Sequence, residues 1–338
     1  MSDTHGPPPP TDLALPRKLT TTVRGQPATA IPGPGHASFV ARFGDAFPAP
    51  RMLESDLGST AVYDLPARSG RRGAGGRRVL MVHGLNTPAL GLLPLARRLQ
   101  ALDADAHVVL FDLWGHGLSS TPLVAHAPHA FHAQVLQVLG ASGWASAHLV
   151  GYSFGGSVAV SFAAYHPWAA ASAALVAPVG VMRLDGCGPR LRALLADSSS
   201  GGRDTEAEAE AAVLAFLEGG PAVAVPEDWR ERAARGEVVA EALRAWELEE
   251  HAGYRRSVLS MFREDGNVSG GEDLYRRFAG LPMRKVVVLA ENDDVCSREQ
   301  LAGLGLDDVE VVARADHGLV RAEAEEVARI VYGMWTRE

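Results

Sequence analysis

Ser153 is the residue whose setting most clearly indicates chemistry, because glycines flank it in segment 149–156, LVGYSFGG. The G-x-S-x-G spacing is typical of a sharp turn from a strand into a helix, which exposes the serine hydroxyl. Gly151 and Gly155 fit this turn because a larger side chain would crowd the bend. An apolar run precedes the serine and residues 156–165 have a helical pattern. The segment therefore predicts a nucleophilic serine.

A serine hydroxyl is a weak nucleophile at neutral pH, so it needs a base and a group that orients that base. His317 is the candidate base, since it lies between a predicted strand at 309–312 and a predicted final helix at 322–335. Asp293 is the candidate acid, because it follows a predicted strand at 285–289. In a doubly wound sheet these loops lie at the same edge as the serine turn. The three side chains are therefore expected to meet.

Acyl transfer also needs two donors for the developing oxyanion. One is normally the backbone N–H of the residue after the nucleophile, and the other comes from an earlier loop at a strand end. These donors correspond to Phe154 and Leu85. Asn86, Tyr152 and Trp246 are predicted to border the substrate pocket, which the apolar and aromatic content of the helical segment indicates to be mainly apolar.

These residues can share one edge because strands and helices alternate along the chain. Continuous apolar runs at 78–82, 106–111, 147–150, 173–177, 285–289 and 309–312 predict strands buried on both faces. Helical periodicity at 93–102 and 129–140 falls between them. Two alternating segments, 51–55 and 60–65, predict a leading antiparallel hairpin. The order predicts an α/β fold with a mostly parallel, doubly wound sheet.

The alternation stops between residues 181 and 280, where helical segments such as 205–218 and 238–263 are separated by Gly, Ser and Pro. We interpret this region as a helical cap inserted into a core formed by residues 37–180 and 281–338. The cap either covers the site or is a structural insert remote from the chemistry. Residues 1–36 are rich in Pro, Gly and Thr and are predicted to form a flexible tail.

Composition excludes several classes of partner. The chain has 338 residues, 47% of them hydrophobic, and a formal net charge of −8, which argues against a nucleic-acid or anionic-membrane surface. Cys187 and Cys296 are too few for a disulfide framework, and no apolar run reaches the length of a membrane span or resembles a signal peptide. We expect a cytoplasmic protein, monomer or homodimer, with a small-molecule substrate.

Five histidines other than His317 need a separate explanation. His83 and His116 follow predicted strands and are expected to hold loops together through hydrogen bonds. His126, His129 and His132 recur every third residue, but no carboxylate or cysteine accompanies them. A polar helix start is therefore favoured over a metal site, and we expect neither metal nor cofactor.

Taken together, the chain from about residue 50 resembles the cap-bearing branch of the α/β-hydrolase superfamily. The resemblance rests on His83-Gly84, on segment 112–119 (DLWGHGLS), on Gly151–Gly156, and on Asp293 and His317, which follow the serine in the order that this superfamily uses. Two positions differ from the family pattern: Ala290 replaces a usual Gly in the acid loop, and 296–297 (CS) replaces a usual Pro. Asp294 therefore stays open as an alternative acid.

The resemblance implies a serine hydrolase that cleaves a carboxylic ester or lactone through an acyl-enzyme. The same arrangement also serves thioesterases, C–C bond hydrolases, acyl transferases and lyases, and the fold does not choose among them. A non-catalytic ligand-binding receptor is the alternative from a different class. Epoxide hydrolase and dehalogenase chemistry is disfavoured, since those relatives carry an aspartate where this chain has Ser153.

Overall fold

The computed structural model describes residues 29–44, 48–69, 76–184, 188–196, 203–217, 220 and 223–337. Within this part of the chain an eight-stranded sheet lies between layers of helices. Cys187, most of the predicted tail and the Ser/Gly break at 198–202 lie outside the described residues.

The strands are β1 (Ala30–Ile31), β2 (Arg51–Ser55), β3 (Gly58–Leu65), β4 (Arg78–Val82), β5 (His107–Phe111), β6 (Thr121–Pro122), β7 (Ala147–Tyr152), β8 (Ala170–Val176), β9 (Arg284–Ala290) and β10 (Val309–Val312). The predicted hairpin is present as β2 and β3, and every predicted core strand is present within a few residues of its expected bounds.

The helices are α1 (His36–Phe43), α2 (Leu93–Leu102), α3 (Pro128–Ala141), α4 (Phe154–Tyr165), α5 (Gly188–Ala196), α6 (Arg203–Phe216), α7 (Trp229–Ala234), α8 (Ala240–Glu250), α9 (Tyr254–Arg263), α10 (Glu272–Ala279), α11 (Arg298–Ala302), α12 (Leu319–Ala322) and α13 (Ala324–Thr336). Short 3₁₀ turns lie at Ala89–Leu92 and Pro167–Ala169.

The main sheet has the order β10-β9-β8-β7-β4-β5-β3-β2. β5, β4, β7, β8, β9 and β10 pair in parallel, whereas β3 pairs antiparallel with β5 and β2. The chain passes from β4 to β5 on one side and then returns to β7 on the other side of β4. The order of strands therefore reverses at β4, and a crevice opens beyond the carboxyl ends of β4 and β7. The predicted mostly parallel, doubly wound sheet is confirmed.

The apolar run of β4 is continuous because both faces of this strand are buried. Val79 and Met81 pack in the cluster that includes residues of α2 and α13. Leu80 and Val82 pack in the opposite cluster, which includes residues of α3 and α4. Each such side chain removed from water contributes about 1.5–3 kcal/mol, so the centre of the sheet is a stable support for the loops at its edge.

The inserted segment 181–280 contains α5 to α10 and, in its described residues, no strand. The single helix predicted over 238–263 is wrong: the chain breaks between α8 and α9. A Cβ on Gly253 would lie 2.0 Å from Thr121 Oγ1, and His251 Nε2 contacts Ser119 O at 2.9 Å. These contacts with the core turn the chain at a position that helical periodicity alone does not mark.

The boundaries of the predicted regions also shift. α10 packs against α4, and Tyr275 in α10 donates a hydrogen bond to Val179 O, so this last helix of the insert belongs to the core. The predicted tail ends before residue 36, because Ala30–Ile31 pairs antiparallel with Thr121–Pro122. We use the word cap below for α5 to α9.

Candidate active site

Ser153 lies in the turn between β7 and α4 with φ 52° and ψ −116°, in the left-handed region that side chains rarely adopt. The turn is closed tightly on both sides. A Cβ on Gly151 would lie 2.3 Å from Gly155 O, and a Cβ on Gly155 would lie 2.0 Å from Val82 O. Only glycine fits at either position, and the strained serine is held at the crevice beyond β4 and β7.

His317 lies between Ser153 and Asp293. Its Nε2 is 3.0 Å from Ser153 Oγ, and its Nδ1 is 2.7 Å from Asp293 Oδ2. Asp293 follows β9 and His317 follows β10, so the parallel strands deliver both to the edge where Ser153 lies. The Asp293 side chain is 7% exposed, and its Oδ1 accepts the Val295 N–H, which fixes the carboxylate. Asp294 is exposed and the geometry favours Asp293 as the partner of His317.

Phe154 is the first residue of α4, so its backbone N–H has no carbonyl partner within the helix. Leu85 follows β4, and the peptide that carries its N–H is oriented by His83, whose Nδ1 lies 2.7 Å from Gly84 O. His83 Nε2 accepts the Leu113 N–H, so the proton of the neutral ring is on Nδ1. Burial lowers the pKa of His83 to about 4, which keeps the ring neutral. His83 thus joins two loops, as the sequence predicts.

The carbonyl of the next peptide in the same loop is held by one residue of the cap and one of the core. Tyr254 at the start of α9 donates its hydroxyl to Leu85 O at 3.0 Å, and His116 Nε2 lies 3.0 Å from the same oxygen. Two further cap residues form hydrogen bonds with the loop after β5. Glu247 accepts the Gly117 N–H, and the Ser257 hydroxyl donates to a backbone carbonyl of this loop. α8 and α9 are therefore joined directly to the loops around the crevice.

A cavity of about 630 Å³ opens beside Ser153. We call it the main cavity. Its apolar lining comes from the core and from the cap, with Leu85, Val179, Met182, Phe216, Leu217 and Phe262 among its residues. The cap therefore covers the crevice and is not remote from it. Phe216 and Phe262 pack edge to face at 6.1 Å, which gives this side of the cavity an aromatic wall.

Asn86 and Tyr152 both line the main cavity. Tyr152 also donates its hydroxyl to His317 O at 2.9 Å, which supports the histidine loop. Trp246 does not line it, and its assignment to the pocket is corrected. Its ring is 1% exposed and packs against Phe39 in α1 at 5.1 Å. The apolar face of α8 turns toward α1, a helix that the sequence did not predict.

A second cavity of about 280 Å³ adjoins the main one, because Asn86 and Tyr152 line both. We call it the side cavity. Its charged residues are Glu241 and Arg244 of α8 and Arg321 of α12. Sequence reasoning missed these residues. The only local signal in the sequence was the position of Arg244 in α8, where this charged residue stands between the apolar residues Leu243 and Ala245.

The three regularly spaced histidines do not form a polar helix start. His126 and His132 are buried, and each contacts a serine hydroxyl: His126 Nδ1 lies 2.8 Å from Ser257 Oγ and His132 Nε2 lies 3.0 Å from Ser161 Oγ. Burial lowers the pKa of His132 to about 3. Across the described ranges, no group of three His, Cys, Asp or Glu side chains has an arrangement that could hold a metal ion.

The remaining cysteine is a core residue. Cys296 is buried, and burial raises the pKa of its thiol to about 12. Among the described helices, none combines the length and the apolar character that crossing a bilayer requires.

A sequence model described as the alpha/beta hydrolase family matches residues 79–330, and the chain belongs to that family. The acetyltransferase component of the acetoin cleaving system from Cupriavidus necator is 38% identical over 124 residues, which are 35% of this chain. The chain spans only 31% of the length of that curated relative.

Solved structures agree on the fold. The enol-lactonase of Burkholderia xenovorans LB400 has a TM-score of 0.62 at 18% identity, covering 85% of this chain and 100% of its own. A meta-cleavage product hydrolase of Pseudomonas fluorescens IP01 has a TM-score of 0.57 at 16% identity, covering 86% of this chain and 98% of its own. At such low identity these similarities establish the α/β-hydrolase fold alone.

Proposed function

We propose that the protein is a serine hydrolase that cleaves a carboxylic ester or lactone of a mainly apolar small molecule. The observation that carries the proposal is the His317 ring, whose two nitrogens lie 3.0 Å from Ser153 Oγ and 2.7 Å from Asp293 Oδ2. Membership of the alpha/beta hydrolase family supports it. The apolar lining of the main cavity supports the choice of substrate class.

In the proposed reaction Ser153 Oγ attacks the substrate carbonyl carbon while His317 Nε2 accepts the hydroxyl proton. Asp293 accepts a hydrogen bond from His317 Nδ1–H and stabilises the imidazolium that forms. The backbone N–H groups of Leu85 and Phe154 stabilise the oxyanion of the tetrahedral intermediate. Its collapse breaks the bond to the leaving alcohol, which takes the proton from His317.

The acyl-enzyme that remains is hydrolysed by the same groups in the reverse sense. Water attacks the acyl carbon as His317 Nε2 takes its proton, and collapse of the second intermediate returns that proton to Ser153 Oγ. The carboxylic acid leaves and the serine hydroxyl is restored. With a lactone, the alcohol and the acyl group belong to one molecule, so a single hydroxy acid is released.

The test combines labelling and turnover. We expect a fluorophosphonate probe to modify Ser153, mass spectrometry to place the label there, and Ser153→Ala to abolish both labelling and hydrolysis of p-nitrophenyl esters. Ser157→Ala is a matched control, because Ser157 lies one helical turn further along α4 and donates to Gly266 O instead of to a histidine. Full turnover by Ser153→Ala would refute the proposal. Ligand binding without any labelling would favour a non-catalytic receptor.

A further inference from the structure

Arg244 is a buried cation that has no carboxylate partner within the part of the chain that the structure describes. It is 3% exposed, and no carboxylate of the described residues lies within ion-pair distance of its guanidinium. Its Nη2 donates to Gly220 O at 2.8 Å, and the guanidinium lies beside the Tyr254 hydroxyl. Its Nε is buried and has no hydrogen-bond partner among the residues with a described position. A buried charge that is neither paired nor fully hydrogen-bonded is costly. Such a residue is retained most readily where an anion completes the site.

Two other residues that line the side cavity each carry a buried polar atom without a hydrogen-bond partner among the described residues. Arg321 Nη1 and Asn86 Oδ1 are both buried and have no hydrogen-bond partner among the described residues. Arg321, Arg244 and Asn86 line the side cavity together, although they come from α12, α8 and the loop after β4. The Asn86 amide can offer either its oxygen or its NH₂ to a ligand by a half-turn about its last bond. Three residues from three separate elements, each with one unsatisfied polar atom, thus line one cavity.

The charges around the side cavity leave it positive. Glu241 lines it and opposes the two arginines, so the lining carries two positive charges against one negative. Glu247 is one turn beyond Arg244 on α8, but it does not line the side cavity and accepts the Gly117 N–H instead. The remaining single positive charge matches a monoanion better than a dianion.

We infer that the side cavity binds a carboxylate of the substrate, held by Arg244 and Arg321 while the reacting carbonyl lies at Ser153. This inference rests on the proposed function and narrows it: the substrate is an ester or lactone with an apolar middle and a carboxylate at one end. The apolar part contacts the aromatic wall formed by Phe216 and Phe262, and Asn86 and Tyr152 border both cavities. Arginine is suited to this role because its planar fork matches both carboxylate oxygens.

The experiment compares substrates that differ only in the charge. The mono-p-nitrophenyl esters of adipic and suberic acid each carry a free carboxylate, and their methyl esters do not. We expect kcat/KM of the wild-type protein to be higher for at least one of the acids than for its methyl ester. Arg321→Gln should lower kcat/KM for the preferred acid by roughly 10- to 100-fold, as expected for a lost charge-assisted hydrogen bond. The methyl ester should change by no more than about twofold to threefold.

Arg97→Gln is the matched control. Arg97 is exposed on α2 and lines a neighbouring open groove that Arg321 also borders, but it does not line the side cavity. Its replacement should leave the ratio of acid to methyl ester unchanged. Equal or better turnover of both methyl esters by the wild-type protein would overturn the inference and leave the proposed function standing. An unchanged ratio in Arg321→Gln would do the same.

A binding experiment tests this inference independently of catalysis. It does not require a substitution of the buried Arg244. Ser153→Ala is titrated calorimetrically with monomethyl adipate, dimethyl adipate and inorganic phosphate. We expect the monoanion to bind more tightly than the diester, and Arg321→Gln in the same background to remove the difference. Equal affinities, or tighter binding of phosphate than of monomethyl adipate, would overturn the inference. If the wild-type protein hydrolyses no ester and Ser153 is not labelled, the proposed function fails whatever this titration shows.

Discussion

Replacing Gly155 with Ala tests the turn around Ser153. A Cβ at this position would lie 2.0 Å from Val82 O, whereas ordinary contacts begin at 3.4 Å. The start of α4 would have to move away from β4 by about 1.4 Å, the difference between these distances. The neighbour is a backbone carbonyl of the central sheet and has no rotamer into which it can move. Overpacking costs typically about 1–3 kcal/mol, and we expect the upper end of that range here.

The same movement should reduce activity by more than the loss of stability explains. Ser153 is the N-cap of α4, so a displaced helix start moves Oγ relative to His317 Nε2. A misplacement of about 1 Å costs on the order of 100-fold in rate. We therefore expect folded Gly155→Ala protein to hydrolyse p-nitrophenyl esters roughly 100-fold more slowly than the wild type.

The assay is urea unfolding followed by circular dichroism, together with ester hydrolysis under conditions in which both proteins are folded. Gly333→Ala is the matched control, because Gly333 lies in α13 and a Cβ there would have no neighbour within 4 Å. This change should be neutral or stabilise the protein by up to about 1 kcal/mol through helix propensity. Wild-type stability in Gly155→Ala would show that the turn is looser than described, and the argument for a strained, exposed serine would fail.

Three further predictions concern the orienting groups and pH. Asp293→Asn should lower kcat by roughly 10⁴-fold because the amide favours the wrong histidine tautomer, whereas Asp294→Asn should have little effect; the reverse order in ester hydrolysis would make Asp294 the acid. Tyr254→Phe removes one of two hydrogen bonds to Leu85 O and should lower kcat by roughly fivefold with KM nearly unchanged, so an effect on KM alone would contradict a positioning role. Burial lowers the pKa of His132 to about 3, below its ordinary value of 6.5, so the unfolded chain binds the proton first and stability falls as pH drops below about 6.5. His132→Gln should reduce the loss between pH 7 and pH 5 by about 2 kcal/mol in urea unfolding, and an equal loss in both proteins would contradict this assignment.

Local patterns predicted the sheet well, and they also predicted which residues lie at its carboxyl edge. The helix at Leu93–Leu102 and the strand at Val309–Val312 have the predicted bounds. Such elements can be predicted because their buried apolar residues recur with a period that is visible in the sequence. Ser153, Asp293 and His317 could be selected for the same reason: each follows a strand, and parallel strands place their carboxyl ends together.

Contacts between segments that are far apart in the chain could not be predicted in this way. Residues 30–31 form a two-residue strand only because Thr121–Pro122 lies beside them, so their composition alone indicated a tail. Trp246 faces α1 instead of the cavity, and the break before α9 depends on Thr121. In each case the residue that makes the decisive contact lies roughly 90 to 200 residues away in the chain. The local periodicity of the sequence carries no information about such a contact.

The sequence by itself identified the candidate nucleophile, base and acid and the sheet that carries them, because all depend on the order of strands and on glycines that a tight turn requires. Only the tertiary structure decided what surrounds the serine. Arg244, Arg321 and Asn86 come from three elements with no shared sequence pattern, and their unsatisfied atoms become evident only when those elements enclose one cavity. An unpaired charge is costly only where it is buried, and burial is a property of the folded chain.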